Sequence, residues 1–398
     1  MVLSTSDIII IGAGMAGVSA AWDMAADCRV TVLEAEPQAG YHSTGRSAAA
    51  YIPSYGYQND ALRRLTAASL SFFRRPPFEH LENELLTPRD LLTIAAGSEV
   101  PALQAEYAKL QSVFPAIEWL GPEALAASVP CLVEEYRHGG CFESGVFDID
   151  VHALHDAYLR AFRARGGELY TDSSVEHIDH RAGLWRVSTR GDVYQAPVLV
   201  NAAGAWAGKV AELAGVPGIG LRPLRRTACL LRPPEGVELD DWPLLMDHAG
   251  KFYFKPDAGL LLASPADETL SVPCDAQPEE LDIAYAAHFA ESVLGFTVRT
   301  VPHAWAGLRS FVADRAPVIG FADDPRGFFW LAGQGGHGIQ TAPAIARLAG
   351  HLVRGEAPDG ELAASGFDVA TVSPIRAALR STDDDYQQND HQLKEKVS

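Results

Sequence analysis

Residues 8–17 read IIIIGAGMAG, and the expected fold follows from this stretch. The apolar run at residues 8–11 is typical of a central parallel β-strand that is covered on both faces. A glycine turn follows it, and the alanine-rich residues 15–27 have the spacing of a helix. Residues 29–34, RVTVLE, indicate a second strand. The chain therefore begins with a predicted β-α-β unit.

The glycine turn has the spacing GxGxxG. Such a turn permits a tight bend, close approach of the backbone to a pyrophosphate and close packing of helix on strand. The helix N-terminus then faces the pyrophosphate, because its unpaired N–H groups favour an anion. Glu34 ends the second strand, where it is placed to accept hydrogen bonds from an adenosine ribose and to repel a 2′-phosphate. The motif predicts a site for FAD or NAD. The expected contact residues are Gly12, Gly14, Met15, Ala16, Gly17 and Glu34.

Composition narrows the class of protein. The 398 residues suit two domains better than one core. A formal net charge of −19 repels phosphate backbones, so no nucleic-acid partner is expected. The sequence has no recognisable signal peptide and no apolar run that approaches the ~18 residues of a membrane span. These features predict a cytoplasmic protein without an integral membrane segment. A peripheral membrane contact through a quinone partner stays open, and the sequence makes no prediction of the oligomeric state.

Neither the cysteines nor the histidines form a pattern typical of a metal site. The five cysteines include no CxxC pair, which indicates reduced and mostly buried thiols. His152 and His155 lie three residues apart on a predicted helix, where the polar face of an amphipathic helix explains them better than a metal does. No metal is therefore expected.

Three later segments carry a resemblance to a known family. Residues 40–48, GYHSTGRSA, resemble its second flavin-contacting segment, and residues 200–206, VNAAGAW, resemble its flavin-contacting turn after a later strand. Residues 333–340, GQGGHGIQ, resemble its C-terminal glycine loop, which covers the flavin ring. The family is the superfamily of glycine oxidase, sarcosine oxidase and D-amino-acid oxidase. Within it, residues 304–314 are most similar to bacterial FAD-dependent D-amino-acid dehydrogenases, notably those for D-arginine.

The resemblance implies FAD as the cofactor. It also implies non-covalent binding, because the sarcosine-oxidising relatives tether FAD through a C-terminal cysteine, and no cysteine follows Cys274. A helix that begins near Gln340 would direct its N-terminus at the flavin pyrimidine, where negative charge grows on reduction. Beyond the first turn, the implied FAD contacts are Ser43, Thr44, Arg46, Ser47, Ala48, Val175, Ala203, Gly204, Trp206, Arg309, Gly336, His337, Gly338, Ile339 and Gln340.

The same resemblance implies a site for the carboxylate of an amino acid. Arg226, Arg309 and Tyr253 match the family residues that hold it, and a guanidinium binds a carboxylate through two hydrogen bonds. Arg225 competes with Arg226, because neighbours on a strand point to opposite faces. Tyr55 matches a tyrosine on a mobile loop that closes the pocket. The remaining expected members of the substrate site are Leu91, Gln340 and Gly336.

Two departures from the arginine-preferring relatives concern the substrate side chain. Ala50 stands where those relatives have a histidine, and Leu91 stands where they have a glutamate, with Asp90 beside it. A leucine there removes the anionic partner of a basic side chain, and a buried cation without a partner is costly. We therefore expect a substrate with a neutral or apolar side chain.

The implied reaction is oxidative deamination of a D-amino acid. A hydride moves from the α-carbon to the flavin, and water hydrolyses the imino acid to a 2-oxo acid and ammonia. The electron acceptor, a quinone or another molecule, is left open by the sequence. An amino-acid, glycine or sarcosine oxidase that uses oxygen, a 2-hydroxy-acid oxidoreductase and a non-catalytic FAD-binding subunit remain alternatives.

The expected fold class is mixed α/β, a Rossmann-type FAD-binding domain with an antiparallel, β-rich substrate domain inserted in segments. The predicted FAD-binding domain comprises residues 1–77, 141–219 and 302–380, and the predicted substrate-binding domain comprises residues 78–140 and 220–301. Residues 381–398 form a polar tail. Beyond the first unit, helices are predicted at 59–74, 99–114, 149–165, 278–295 and 340–353, and strands at 174–180, 184–189, 197–200, 228–231, 251–254, 260–263, 317–320 and 328–332.

Overall fold

The computed structural model describes residues 3–79, 81, 83–324 and 326–380. The predicted polar tail, residues 381–398, lies outside the described residues. The strands, in chain order, are β1 Leu3–Thr5, β2 Ile8–Ile11, β3 Val30–Leu33, β4 Ala50–Tyr51, β5 Leu86–Pro88, β6 Leu91–Ile94, β7 Ile117–Leu120, β8 Gly140–Glu143, β9 Phe147–Ile149, β10 Glu168–Tyr170, β11 Val175–Arg181, β12 Leu184–Thr189, β13 Val193–Ala196, β14 Val198–Asn201, β15 Arg222–Leu231, β16 Leu244–Asp247, β17 Tyr253–Asp257, β18 Leu260–Ser264, β19 Thr269–Leu270, β20 His303–Phe311, β21 Val318–Phe321 and β22 Phe328–Ala332.

The helices begin and end at recognisable local signals. The side chain of Asn59 accepts a hydrogen bond from the N–H of Leu62 and caps α2, and Gly295 ends α7 in the left-handed conformation. Their bounds are α1 Met15–Met24, α2 Asp60–Arg74, α3 Val100–Val113, α4 Pro122–Ser128, α5 Val151–Ala164, α6 Ala207–Leu213, α7 Glu280–Leu294, α8 Ala342–Arg354, α9 Gly360–Ala364 and α10 Ala377–Arg380, with 3₁₀ turns at Gly97–Glu99, Glu134–Tyr136, Gly204–Trp206 and Val369–Val372. Across the described ranges, every helix is too short or too polar to cross a membrane.

A central sheet with the strand order β10-β3-β2-β14-β22-β21 carries the first β-α-β unit. Its strands are parallel except at the edge, where β21 runs antiparallel to β22. Ile8 and Ile10 of β2 face a core shared with α1, α5 and α8, whereas Ile9 and Ile11 face a second core on the opposite side. All four isoleucines are buried, which confirms a central strand covered on both faces.

A second, larger sheet has the order β19-β15-β18-β17-β16-β6-β8-β7, and β20 also pairs with β15. Most of its pairs are antiparallel, but β6 and β16 run parallel. Helix α7 covers one face of it and shares a core that includes Phe254, Leu261 and Val293. Both sheets lie within one mixed α/β architecture, so the expected fold class is confirmed.

The division of the chain into two domains stays a prediction. Strand β20 pairs along its whole length with β15 of the large sheet, although the predicted boundary assigns residues 302–380 to the FAD-binding domain. Strand β20 therefore belongs to the large sheet, and the chain continues from it to β21 of the central sheet. The site described next lies at this connection.

Candidate active site

The glycine turn and the start of α1 form one wall of a cleft between the two sheets. Gly14, Met15 and Ala16 line it. Gly12 has a φ of +102°, and a Cβ atom there would lie 2.5 Å from the carbonyl oxygen of Ala202, so only glycine fits. Gly14 caps the helix without any side chain at its N-terminus. The Met15 N–H donates to the Thr44 hydroxyl at 2.9 Å, and the start of a helix offers further N–H groups that can bind an anion.

Two buried side chains fix this turn from behind. The Glu34 Oε2 accepts the N–H of Ala13 at 2.7 Å, and its Oε1 accepts the N–H of Glu36 at 3.0 Å. Each carboxylate oxygen can accept a further hydrogen bond, so Glu34 remains able to bind ribose hydroxyls. The His155 Nε2 lies 2.9 Å from the carbonyl oxygen of Ala13. The interpretation of His155 as part of a polar helix face was wrong, because it is buried against the turn, and this burial lowers its pKa.

Residues 40–48 form a second wall, which is bonded to β20. Ser43 donates its hydroxyl to the carbonyl of Leu308 at 2.6 Å, and the indole N–H of Trp305 donates to the carbonyl of Arg46 at 2.9 Å. Arg46 donates to the carbonyls of Ala276 and Ala306 and pairs with Asp275. The cleft-lining residues of this segment are Ser43, Thr44, Arg46, Ser47 and Ala48.

Arg226 and Arg309 lie on the face of the large sheet that borders the cleft. In the β15–β20 register, Arg226 is opposite Gly307 and Leu224 is opposite Arg309, so the two arginines are diagonal neighbours on one face. Gly307 has no side chain to fill the space between the arginines and the residues 40–48 segment. A Cβ atom there would lie 3.7 Å from the Cβ of Arg46. Both arginines line the cleft, as does Gly307.

Arg225 points to the opposite face, as strand alternation requires. Its guanidinium donates to the Asp282 carboxylate at 2.9 Å and pairs with Glu279, on the side of the sheet covered by α7. Arg226, in contrast, donates its Nε to the carbonyl of Asp267 at 2.8 Å. Burial and the neighbouring charge of Arg309 lower the pKa of Arg226. Of the two competing arginines, Arg226 is the one that reaches the cleft.

Glu268 joins the arginines at the mouth of the cleft, and no sequence motif indicated it. Its Oε1 lies 2.7 Å from Arg309 Nη2 and 3.5 Å from Arg226 Nη2, and the same carboxylate pairs with Arg315 at 2.8 Å. Burial opposes ionisation of this carboxyl, but the hydrogen bond from Arg315 and the charges of all three arginines hold its pKa below the usual value. Glu268 therefore offsets part of the positive charge at the mouth.

Tyr55 lies over Arg309. The distance from Arg309 Nη1 to the Tyr55 hydroxyl oxygen is 3.4 Å. The Tyr55 ring stacks on the His337 imidazole, with 4.4 Å between centroids and 21° between planes. A Cβ atom at Gly336 would lie 2.9 Å from Arg309 Nη1 and 3.0 Å from the Tyr55 hydroxyl, so the loop backbone touches both groups.

His337 is buried behind Tyr55 and does not line the cleft. Burial first, and then the charges of Arg309 and Arg315, lower its pKa to about 4. Neither ring nitrogen has a hydrogen-bond partner among the described residues. The imidazole is therefore neutral at physiological pH, and it packs against the tyrosine ring.

Tyr253 and Gln340 complete the polar part of the cleft, and both line it. The Arg226 guanidinium carbon lies 6.0 Å from the centroid of the Tyr253 ring. The Gln340 side chain accepts the N–H of Ile52 at 3.1 Å and donates to the Thr66 hydroxyl at 3.0 Å. Both ends of the Gln340 amide are thus engaged by the protein, and the residue joins the glycine loop to β4 and α2.

The remaining wall is apolar. Ala50, Ile52, Leu244 and Met246 line the cleft. Leu91 does not line it but lies behind them, in the same small hydrophobic cluster. Leu244 and Met246 belong to β16 and were missed from the sequence, although their alternation on a strand is a signal that could have indicated a shared face.

Several predicted contacts line the cleft and others do not. The lining residues include Gly204, Gly336, Gly338, Ile339 and Gln340. The predicted FAD contacts that lie outside the lining, besides His337, are Gly12, Gly17, Glu34, Val175, Ala203 and Trp206. Val175 packs at the edge of the second core, and the Trp206 ring lies 4.5 Å from the His42 ring.

The arrangement fits a flavin dinucleotide. The N-terminus of α1, capped by Gly14, borders the cleft with the Thr44 hydroxyl bound to its Met15 N–H, and small residues line the cleft between it and the glycine loop. Helix α8 begins at Ala342, two residues after the predicted start, with its N-terminus next to this loop. Backbone N–H groups can donate to a pyrophosphate and the Glu34 carboxylate can accept hydrogen bonds from a ribose, which is the chemistry that an adenine dinucleotide requires.

Comparisons with known proteins show the family and the fold of the chain. Residues 7–352 match the model of a family described as DAO, FAD dependent oxidoreductase. Glycine oxidase from Geobacillus kaustophilus (strain HTA426) is 24% identical over 392 residues, which cover 93% of this chain and 97% of that enzyme. FAD-dependent oxidoreductase domain-containing protein 1 from Bos taurus is 26% identical over 404 residues, or 87% of this chain and 81% of that protein.

Solved structures show the same fold. The crystal structure of glycine oxidase from Geobacillus kaustophilus aligns with a TM-score of 0.77 at 21% identity, covering 94% of this chain and 99% of that one. The dithionite-reduced L-α-glycerophosphate oxidase from Mycoplasma pneumoniae, with FAD bound, aligns with a TM-score of 0.79 at 18% identity over 90% of this chain and 98% of that one.

Proposed function

Because the chain belongs to the DAO family of FAD-dependent oxidoreductases, we propose that it deaminates D-amino acids with neutral or apolar side chains to 2-oxo acids and ammonia. FAD is its cofactor. Non-covalent binding of FAD is part of the proposal, since Cys274 is the last cysteine and lies outside the cleft lining. When bound, FAD supplies an acceptor for the hydride of the substrate α-carbon.

One observation carries the amino-acid part of the proposal: the two guanidiniums of Arg226 and Arg309 share the face of the sheet that borders the glycine loop. A carboxylate accepts charge-assisted hydrogen bonds from such groups, and a bidentate pair fixes its orientation. The Glu268 carboxylate binds Nη2 of Arg309, whereas Nη1 of Arg309 faces the Tyr55 hydroxyl and the cleft. A substrate carboxylate held there lies next to the glycine loop, because the Gly336 backbone touches both Arg309 and Tyr55.

The electrostatics of the cleft favour a neutral amine. None of the described residues that line it is Asp, Glu, His or Lys. Two guanidiniums nearby disfavour a further positive charge, so they lower the pKa of a bound ammonium group. The substrate is then bound as the free amine, whose lone pair assists loss of the hydride, and no protein base is required.

The apolar wall supports the choice of side chain. Ala50, Ile52, Leu244 and Met246 offer no partner to a cation, and desolvating an unpaired cation is costly. The preference for the D enantiomer rests on the resemblance of residues 304–314 to D-amino-acid dehydrogenases.

A product assay tests the proposal. The purified holoenzyme is incubated with D-leucine, L-leucine, D-arginine or glycine and an artificial electron acceptor, and ammonia and 2-oxo acid are measured. The proposal expects both products in equal amounts from D-leucine, with much lower rates from the other three. Equal turnover of D- and L-leucine, or faster turnover of D-arginine, would contradict it.

An oxidase is a second candidate, because a relative similar over most of its length is a glycine oxidase. The same assay without the artificial acceptor decides between the two. Stoichiometric hydrogen peroxide in air would assign the chain to the oxidases, whereas dependence on the added acceptor would assign it to the dehydrogenases.

A further inference from the structure

A buried carboxyl group lies close to the cleft without lining it. Glu143, the last residue of β8, is only 4% exposed, and burial raises its pKa despite two hydrogen bonds. Burying a carboxylate is costly unless its oxygens are paired. Nothing in the proposed reaction uses this group, so its position calls for a separate explanation.

Both oxygens of Glu143 are bound by one residue, Ser54. The Ser54 N–H donates to Oε1 at 3.0 Å, and the Ser54 hydroxyl donates to Oε2. The two residues are 89 positions apart in sequence. The contact therefore ties the large sheet to the segment that follows β4, and a buried polar group that loses such a partner is costly.

Ser54 immediately precedes Tyr55, and little backbone freedom separates them. The Tyr55 N–H donates to the carbonyl of Ile52 at 3.2 Å, which closes a tight turn around Ser54. A side chain that holds Ser54 from outside the turn therefore also sets the position of the Tyr55 Cα. From there the Tyr55 hydroxyl reaches Arg309, at 3.4 Å.

The strand register places Glu143 close to the apolar wall as well. Glu143 pairs with Leu91 across β6 and β8, so the two side chains lie on one face. Leu91 shares a cluster with Ile52 and Leu244, which line the cleft, and with Tyr55 at its edge. The carboxyl thus lies one layer behind the wall, where it acts on the cleft only through Ser54.

We propose that Glu143 is a positioning residue, whose carboxyl holds Ser54 and thereby keeps Tyr55 over Arg309. The expected effect on kcat/KM rests on the proposed function, whereas the contact between Glu143 and Ser54 does not depend on the substrate. Loss of the carboxyl frees the turn, and Tyr55 then covers the arginine for a smaller fraction of the time.

The first test needs no substrate. Hydrogen exchange of residues 51–58 is measured in the FAD-bound wild type, in Glu143→Ala and in Glu118→Ala, a control on the adjacent strand β7 with an exposed side chain. Exchange in this segment should be faster in Glu143→Ala alone. Unchanged exchange in Glu143→Ala would overturn the proposal, whatever the substrate proves to be.

The second test separates positioning from general destabilisation. In Glu143→Gln, the amide oxygen can accept the Ser54 N–H and the amide nitrogen can donate to its hydroxyl, so near wild-type kcat/KM is expected. Glu143→Ala should lose roughly tenfold or more in kcat/KM, because the Ser54 N–H and hydroxyl then lose their buried partner. In a Tyr55→Ala background, Glu143→Ala should cause no further loss, because the group that it positions is absent.

The outcomes distinguish a failure of the proposed function from a failure of the role proposed for Glu143. If no D-amino acid is turned over by the wild type, the proposed function fails while the exchange result still decides the role of Glu143. If the wild type is active but Glu143→Ala costs as much in the Tyr55→Ala background as in the wild type, the residue acts through general stability, and the positioning role is wrong.

Discussion

Arg226 and Arg309 are diagonal neighbours on antiparallel strands, with Gly307 directly opposite Arg226. Two like charges so close together repel each other, and Glu268 reduces the repulsion by contacting both. The arrangement leaves one side of the pair bound by the protein and the other side facing the cleft. The chemistry proposed for this chain depends on that open side.

The first prediction concerns the arginine pair. Arg309→Lys removes the planar fork that binds a carboxylate bidentately, so KM for the substrate should rise by about 30-fold or more. Arg225→Lys is the matched control, since Arg225 lies on the opposite face and pairs with Asp282. Steady-state kinetics checks both, and an equal rise of KM in the control would show that the effect is not local to the cleft.

The second prediction concerns Gly336. In Gly336→Ala the new methyl group would lie 2.9 Å from Arg309 Nη1 and 3.0 Å from the Tyr55 hydroxyl, so one of these groups must move. We expect kcat/KM to fall by at least about tenfold, a cost typical of a displaced binding group. FAD should be retained. Gly208→Ala is the control, because nothing lies within 4 Å of a Cβ atom there. Wild-type kinetics in Gly336→Ala would contradict the placement of this loop.

The third prediction concerns the apolar wall. Met246→Glu places a carboxylate among cleft-lining residues, where it can pair with a cationic substrate side chain. The ratio of kcat/KM for D-lysine to that for D-leucine should rise by roughly tenfold or more. Met246→Gln has the same shape without the charge and should leave the ratio nearly unchanged. If both variants change the ratio by the same factor, the polarity of residue 246 rather than its charge determines the substrate preference, and the prediction is wrong.

The fourth prediction concerns His337 and pH. Its folded-state pKa of about 4 is below the ordinary histidine value, so between these two pH values the unfolded chain binds a proton that the folded chain does not. The stability that His337 contributes is therefore present at neutral pH and falls as pH drops through this window, by up to about 3 kcal/mol.

The measurement for this prediction is a comparison with His337→Phe, which keeps a ring against Tyr55 but cannot titrate. Tm is followed from pH 7 to pH 4 with FAD in excess, because bound ligand raises Tm. The Tm of the wild type relative to the variant should fall by several degrees toward the acid end. Parallel curves would mean that the pKa of His337 is the same in the folded and the unfolded chain, and would contradict the prediction.

Local signals were enough to predict much of the fold. Residues 59–74 were predicted as a helix, and α2 begins one residue later because the Asn59 side chain caps it. Strands β12 and β22 have the predicted bounds, since alternating or wholly apolar runs define them without help from distant residues. The β-α-β unit was also predicted correctly, because the spacing of its glycines is visible in the sequence.

Elements that depend on distant partners were not predictable. Residues 228–231 were predicted as a strand, but β15 extends from Arg222 because β20, some eighty residues away, supplies its hydrogen bonds. Strand β16 is defined by its pairing with β6, and for this reason Leu244 and Met246 were missed. Glu268 lies between β18 and β19 without any motif, so only the fold brings it to the arginines.

The most direct test of the central claim is anaerobic mixing of the FAD-bound protein with single amino acids while flavin absorbance is followed at roughly 450 nm, where oxidised flavins absorb. We expect rapid bleaching by apolar D-amino acids such as D-leucine and D-methionine, and slow or no bleaching by their L enantiomers, glycine and D-arginine. A yellow protein that none of the D-amino acids bleaches would contradict the claim and shift the assignment to 2-hydroxy acids or to a non-catalytic flavin-binding subunit.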